Sequence, residues 1–361
     1  METKTYRGMK YRRMGNSGLW VSEVGLGLWK WGDPSYDGSR IGEHDGFKIL
    51  DCALELGATH WDTANSYNMG AGNSERLIGR YFKSRGSRAR NMVVLATKVK
   101  NAVRDEHELT RDFSPNESGA SRKYIIQAVE DCLKRLQTDR IDLLYHHSPS
   151  LLSDGSWETP LDETWAAFDQ LVRQGKVLYL AVSNRTAAQL ETESKTLATV
   201  AVNSSHRIIG VQNRYNLMDR PRVSKKEGEP TVADEREFLE YIAQMGISLV
   251  PFMPLALGLL TGRYRKGKLD DTGRLSEQAG EARRDEFLTD RNLELVDKLD
   301  AVAKRKGCSL AQLSIAWLLS HEVVCSVIAG VTKMEQLEEN VISPSVSFSQ
   351  EELEEVDNLT R

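Results

Sequence analysis

Cysteine is scarce in this chain. Its 361 residues hold four, Cys52, Cys132, Cys308 and Cys325, spaced too widely for a metal knuckle or a disulfide framework. That usage predicts small buried thiols and a reduced, cytoplasmic protein. Long apolar runs are missing as well. No stretch nears the roughly 18 residues that a membrane span requires, and residues 1–13 lack the apolar core of a signal peptide or anchor. Neither sign of charge dominates: 48 basic and 52 acidic residues give a formal net charge of −4. That balance leaves no basic footprint for nucleic acid or acidic lipid, so the expected partner is a small molecule. A dinucleotide fingerprint is also absent. Gly70-Ala71-Gly72-Asn73-Ser74-Glu75 is glycine-rich but does not complete G-x-G-x-x-G after a strand. Oligomeric state is left open.

What is present is alternation. Short apolar, β-branched runs cover residues 21–29, 59–63, 91–99, 141–147, 177–184, 208–215, 247–253 and 325–330. Continuous runs of this length suit parallel strands buried on both faces. Amphipathic stretches lie between them. Residues 43–57 place Phe47, Leu50 and Leu54 near helical spacing and stop at Gly57. Ser121 is a candidate N-cap for the next such stretch, and residues 159–177 repeat the pattern with a stop at Gly175. Eight strand-helix units in one chain predict a single domain over residues 1–361, an α/β fold of the (β/α)8 TIM-barrel type. Asn16-Ser17-Gly18 signals an N-terminal hairpin that would cover one end. Polar stretches at 100–120, 148–160, 220–235 and 263–286 predict long loops at the C-terminal face, where barrel active sites are built.

Four polar residues stand at or just past three successive predicted strands: Asp62 and Tyr67, Lys98, and His147. Strand ends of a barrel converge on one centre. A phenol has an ordinary pKa near 10, and an ammonium beside it favours the phenolate. A carboxylate would hold the lysine charged; at about 4 Å the pair attracts by roughly 4 kcal/mol at an effective dielectric of 20, before desolvation. A histidine would orient a substrate carbonyl while the phenol donates its proton. His146 and His147 face opposite ways on a strand, so only one reaches the mouth, and counting from Asp142 selects His147. Singly, each residue has a plainer reading: an inward ion pair, a loop tyrosine, a satisfied core histidine. The conjunction points to carbonyl reduction.

These segments resemble the aldo-keto reductases over nearly the whole chain. The resemblance rests on Trp61-Asp62-Thr63-Ala64 with Tyr67, on residues 73–80, on Ala96-Thr97-Lys98, and on Ile141-Asp142-Leu143-Leu144 leading to His147. Val182-Ser183-Asn184 and Val211-Gln212-Asn213-Arg214-Tyr215-Asn216 continue it. It implies NADPH lying extended across the barrel mouth, with Asp62, Lys98, Tyr67 and His147 as the catalytic quartet. Ser183, Asn184 and Gln212 would bind the nicotinamide carboxamide, and Tyr215 would stack on the ring. Trp29 and Asp62 join the cofactor-binding set. Met253, Pro254, Leu255, Ala256, Leu257 and Gly258, with Arg263, resemble the pyrophosphate loop, although many relatives carry serine at the position of Met253. Gly330, Thr332, Lys333, Gln336, Glu339 and Asn340 resemble the segment that holds the adenosine phosphate. Arg274 is a candidate second ligand for that phosphate.

The pocket itself is less legible. Trp29, Trp31 and Trp157 are candidate aromatic walls, which suit sugars and aryl rings alike. The segments look closer to the bacterial branch near the potassium-channel β subunits and aryl-alcohol dehydrogenase-like members than to the aldose-reductase branch. The resemblance therefore implies reduction of an aldehyde or ketone, such as an aryl aldehyde or keto-sugar. It leaves a second reading, a nicotinamide-binding regulatory subunit, against which His147 counts because that branch tends to lack it. A metal-dependent isomerase would need a cluster of carboxylates and histidines at strand ends, and Lys98 is a poor neighbour for a divalent cation.

Overall fold

The computed structural model describes residues 2–35, 38–68, 70–104, 112–202, 206–220, 235–267, 270, 272–275 and 281–361. Three short strands come first. β1 (Thr3–Tyr6), β2 (Met9–Arg13) and β3 (Trp20–Ser22) form an antiparallel sheet. β2 and β3 are joined through the turn expected at Asn16-Ser17-Gly18; β1, which the sequence did not signal, pairs on the other edge of β2. The turn tucks under the barrel. Asn16 donates its backbone N–H to Gly246 O at 2.7 Å, and Gly15 donates to Ser248 Oγ at 2.7 Å. Gly15 is required there, since a Cβ would lie 2.4 Å from Ile209 O. Met14 is fully buried among Ala96, Leu143, Ala181 and Ile209. The hairpin thus plugs the N-terminal end and leaves the other end for chemistry.

The barrel strands are β4 (Val24–Gly27), β5 (His60–Asp62), β6 (Val94–Val99), β7 (Ile141–His146), β8 (Val177–Ser183), β9 (Ile208–Arg214), β10 (Ser248–Phe252) and β11 (Val327–Gly330). They pair in parallel in chain order, and β11 returns to β4. The seam between β10 and β11 closes at one parallel bridge, Leu249 with Val324. Two backbone hydrogen bonds carry it, Leu249 N to Val323 O at 2.9 Å and Cys325 N to Leu249 O at 3.1 Å. This is the (β/α)8 barrel that the alternation predicts.

Helices clad the strands: α1 (Glu43–Glu55), α2 (Asn73–Met92), α3 (Arg122–Leu136), α4 (Leu161–Arg173), α5 (Ala187–Val200), α6 (Glu235–Gln244), α7 (Glu281–Phe287), α8 (Asp290–Lys306), α9 (Leu310–Ser320), α10 (Met334–Ile342) and α11 (Gln350–Thr360). Three of the signals that start or stop them were read from sequence. Ser121 accepts from Tyr124 N at 3.3 Å, and Gly57 and Gly175 follow their helices with φ of 75° and 71°. Among the described residues no helix is long and apolar enough to cross a membrane.

Two boundaries differ from expectation. The run 21–29 is not one strand: Val21 belongs to the small sheet and Val24–Gly27 to the barrel. The chain changes sheets at Glu23, whose buried carboxylate accepts from Arg12 Nε at 2.6 Å. Asn91 and Met92 end α2 rather than begin β6. Of the expected loops, residues 105–111, 221–234, 268, 269, 271 and 276–280 lie outside the described residues.

Candidate active site

Alternation along the strands decides which side chains reach the open end. On β7, Leu143 and Tyr145 pack inside the barrel, whereas Leu144 faces the helices and His146 sits beside Trp165 and Phe168 of α4. His147, one position on, therefore turns to the mouth. At the tops of the other strands Gly27, Asp62, Ser183, Gln212, Phe252 and Gly330 take the inward positions. Together with Trp29, Tyr67 and His147 they line one cavity of about 140 Å³.

Lys98 is buried against this cavity, and each of its three N–H groups has a partner. It donates to Asp62 Oδ2 at 2.6 Å, to Thr63 O at 2.8 Å and to the Tyr67 hydroxyl at 2.9 Å. Because the Tyr67 oxygen accepts from Lys98, its own proton is directed elsewhere, and the cavity is the open direction. Asp62 is fixed on its other side by Gln212, whose Nε2 donates to Oδ1 at 2.8 Å. Burial pulls the Lys98 ammonium down, but Asp62 and the Tyr67 oxygen outweigh it and leave its pKa above the ordinary value. The phenol departs from the sequence expectation. Burial raises the Tyr67 pKa and exceeds the lowering exerted by Lys98, so the group holds its proton at neutral pH. That is the protonation state a general acid requires.

His147 packs edge-on to Tyr67, ring centroids 6.1 Å apart. Burial, followed by the charges of Lys98 and Lys100, pushes its pKa down to about 3, so the ring is neutral. Its backbone N–H donates to Val99 O at 3.1 Å, and its carbonyl accepts from Asn184 Nδ2 at 3.0 Å.

A second cavity of about 240 Å³ continues from the first, sharing Met253, Pro254, Arg274 and Gly330. It runs past Leu255, Leu257, Gly258 and Arg263 to Thr332, just before α10, and to Gln336, Glu339 and Asn340 along that helix. Backbone with positive φ at Met253, Ala256, Leu257 and Gly258 shapes this wall. The groove fits an extended dinucleotide. It is bare of side chains at Gly27, where a Cβ would sit 3.0 Å from Ile328 Cγ2, and at Gly330. It is also lined by Arg40, Arg263 and Arg274, guanidinium groups suited to phosphate.

Three expected cofactor residues do not reach the groove. Tyr215 lies three positions past inward-facing Gln212, so it turns to the helices. Its ring packs on Trp317 and its hydroxyl donates to Glu235, leaving it 1% exposed and unable to stack on a ligand. Ala256 is fully buried beneath the loop. Lys333 is exposed as the residue before α10, outside the groove lining. Of the tryptophans, Trp29 lines the cavity with the Arg274 guanidinium 4.8 Å over its ring. Trp31 is core, donating to Val331 O at 3.2 Å, and Trp157 lies beside Arg185. Sequence reasoning missed Phe252, Arg40, Thr261 and Ala311 in the lining. Phe252 was within reach: it shares strand parity with inward Val250.

A family model described as Aldo/keto reductase family matches residues 23–361. The chain belongs to the aldo/keto reductase family. Its relatives in that family include an L-glyceraldehyde 3-phosphate reductase of Escherichia coli O157:H7, 31% identical over 98% of this chain and 92% of the relative. A versiconal hemiacetal acetate reductase of Aspergillus parasiticus is 32% identical, covering 96% of this chain and 95% of that protein. A probable voltage-gated potassium channel subunit beta of Arabidopsis thaliana is also 32% identical, over 92% and 90%. Aldo/keto reductase membership makes oxidoreductase chemistry with a nicotinamide cofactor the general expectation for the groove.

Proposed function

We propose that this chain is an NADPH-dependent reductase of an aldehyde or ketone, an aryl aldehyde, keto-sugar or similar molecule, acting as a single barrel domain in a reducing cytoplasm. One observation carries the reading: Lys98 joins Asp62 and the Tyr67 hydroxyl in a buried triad at a cavity that His147 also lines. When bound, the nicotinamide supplies the hydride for the carbonyl carbon. Tyr67 gives its proton to the carbonyl oxygen. Lys98, held charged by Asp62, stabilises the phenolate that remains. Neutral His147 donates a hydrogen bond to the same oxygen and orients it. General acid catalysis of this kind contributes about 10²–10⁴-fold. Ser183, Asn184 and Gln212 line the cavity and would read the carboxamide, and Phe252 is the aromatic ring that lines it with them. Arg40, Arg263 and Arg274 support a ligand with several phosphates, NADPH over NADH.

The second reading is a cofactor-binding regulatory subunit. It draws on the relatives in Arabidopsis thaliana and rice named as potassium channel subunits. A fluorescence titration with NADPH and NADH, then a carbonyl panel on the wild type and Tyr67→Phe, separates the two. The reductase requires turnover that falls by about 10²–10⁴-fold in Tyr67→Phe while NADPH affinity holds. Tight binding without turnover of any aldehyde, aryl ketone or keto-sugar favours the regulatory subunit.

A further inference from the structure

His147 can donate to a carbonyl oxygen only if its proton sits on Nε2. A donor facing Nδ1 favours that tautomer. Asn101, in the loop after β6, supplies one: its Nδ2 lies 3.3 Å from His147 Nδ1 and 3.3 Å from Ser66 Oγ, one amide hydrogen for each. His147 Nε2 has no hydrogen-bond partner among the described residues, and the ring borders the cavity.

The loop is built to hold this amide. Lys100, the residue before it, has φ of 152°, a conformation essentially confined to glycine. That strain persists because the surroundings fix it. Gly119 N donates to Lys100 O at 2.8 Å. Asn101 O accepts from Asn65 Nδ2 at 3.0 Å and from the Tyr124 hydroxyl, and Asn65 and Tyr124 are themselves 3.2 Å apart. The bracing contacts all fall on backbone carbonyls. The Asn101 side chain is left for Ser66 and His147.

We propose that Asn101 is a positioning residue that locks His147 in the neutral Nε2–H tautomer and so makes it a hydrogen-bond donor to the substrate oxygen. This deepens the reductase reading and rests on it for its catalytic consequence, but the tautomer itself is observable without turnover. The charged and titratable groups around the ring are Tyr67, Lys98, Lys100, His146 and Arg185, none of which is altered by changing Asn101.

The test is ¹⁵N-histidine NMR of the wild type, Asn101→Ala and Asn101→Asp, with His147→Gln to assign the signal. The wild type should show the Nε2–H tautomer. Asn101→Ala should mix the tautomers. Asn101→Asp, which offers only acceptors, should move the proton to Nδ1 and raise the pH at which the ring charges. In kinetics, Asn101→Ala should lower kcat/KM for the carbonyl about fivefold to tenfold, the size of one neutral hydrogen bond, with NADPH affinity unchanged. Because the bracing bonds use the backbone, both variants should fold, and the remaining histidine signals report this. An Nδ1–H tautomer in the wild type overturns the proposal. So does an unchanged His147 signal in both variants. Absence of turnover in the wild type with the expected tautomer would fault the reductase reading instead.

Discussion

Replacing Lys98 with methionine isolates the energetics of the triad. Asp62 and Lys98 are 3% and 1% exposed, and their charged atoms lie 2.6 Å apart. At an effective dielectric of 20 that separation gives about 6 kcal/mol of gross attraction, most of it offset by desolvation. Lys98→Met keeps the stem but leaves the Asp62 carboxylate buried without a cation, held by the Gln212 amide. Breaking a buried pair in this way costs about 3–5 kcal/mol. The orphaned carboxylate would then have a folded pKa raised above its unfolded value near 3.9. A raised folded pKa means that stability is present at low pH and is lost as pH rises through that value. The deficit should therefore be largest near pH 8 and shrink toward pH 5. Asp62→Asn combined with Lys98→Met removes both charges and should recover much of the loss. Urea denaturation of the four proteins at pH 5, 6.5 and 8 gives the cycle. Additive single losses, or a Lys98→Met deficit below about 1 kcal/mol at pH 8, would refute the coupling.

Two further outcomes follow from the same geometry. Burial and the Lys98 charge push the His60 pKa down to about 3, whereas the unfolded chain takes up that proton near pH 6.5. Its stabilising effect is complete above pH 6.5 and falls by about 1.4 kcal/mol per unit toward pH 3. His60→Gln should lose less stability between pH 7.5 and 4.5 than the wild type by up to about 3 kcal/mol in denaturant titrations; parallel profiles would contradict this. Arg274→Ala removes a guanidinium that borders both cavities. Fluorescence titration should show NADPH binding weakened about tenfold to hundredfold, the size of a charge-assisted hydrogen bond, and weakened more than NADH binding; equal losses for both would remove Arg274 from the phosphate set.

The barrel and most of the site were legible because both are written in strand parity. Asp62, Lys98 and His147 stand at or just past the ends of consecutive strands, and the adjacent histidines at the end of β7 resolved once inside was separated from outside. Tyr215 turns away from the groove by the same parity that brings His147 to it. It was placed by family likeness of a segment, although its odd offset from Gln212 turns it to Trp317. Phe252 carried the correct parity and went unread, although its run was read as a strand. Asn101 left no signal at all. A single asparagine in a polar loop has no period, and its role depends on a strained backbone at Lys100 that no local pattern encodes. The break at Glu23 was hidden because Val21 and Val24 stand close on either side and continue the apolar run, and the tertiary partner Arg12 explains the change of sheet.

The seam between β10 and β11 gives the groove a second meaning. One wall, with Gln212, Phe252, Met253 and Pro254, hangs from β9 and β10; the other, with Gly27, Gly330 and Thr332, hangs from β4 and β11. A dinucleotide lying between them would be a hasp across a joint of the hoop that the chain itself fastens with two backbone hydrogen bonds. Binding there would then add to the stability of the closed barrel. A hundredfold excess of ligand over Kd would add about 2.7 kcal/mol to the closed form. The last barrel strand, which ends at Gly330, completes the hoop, so a molecule held in the groove would brace the closure as well as sit at the site.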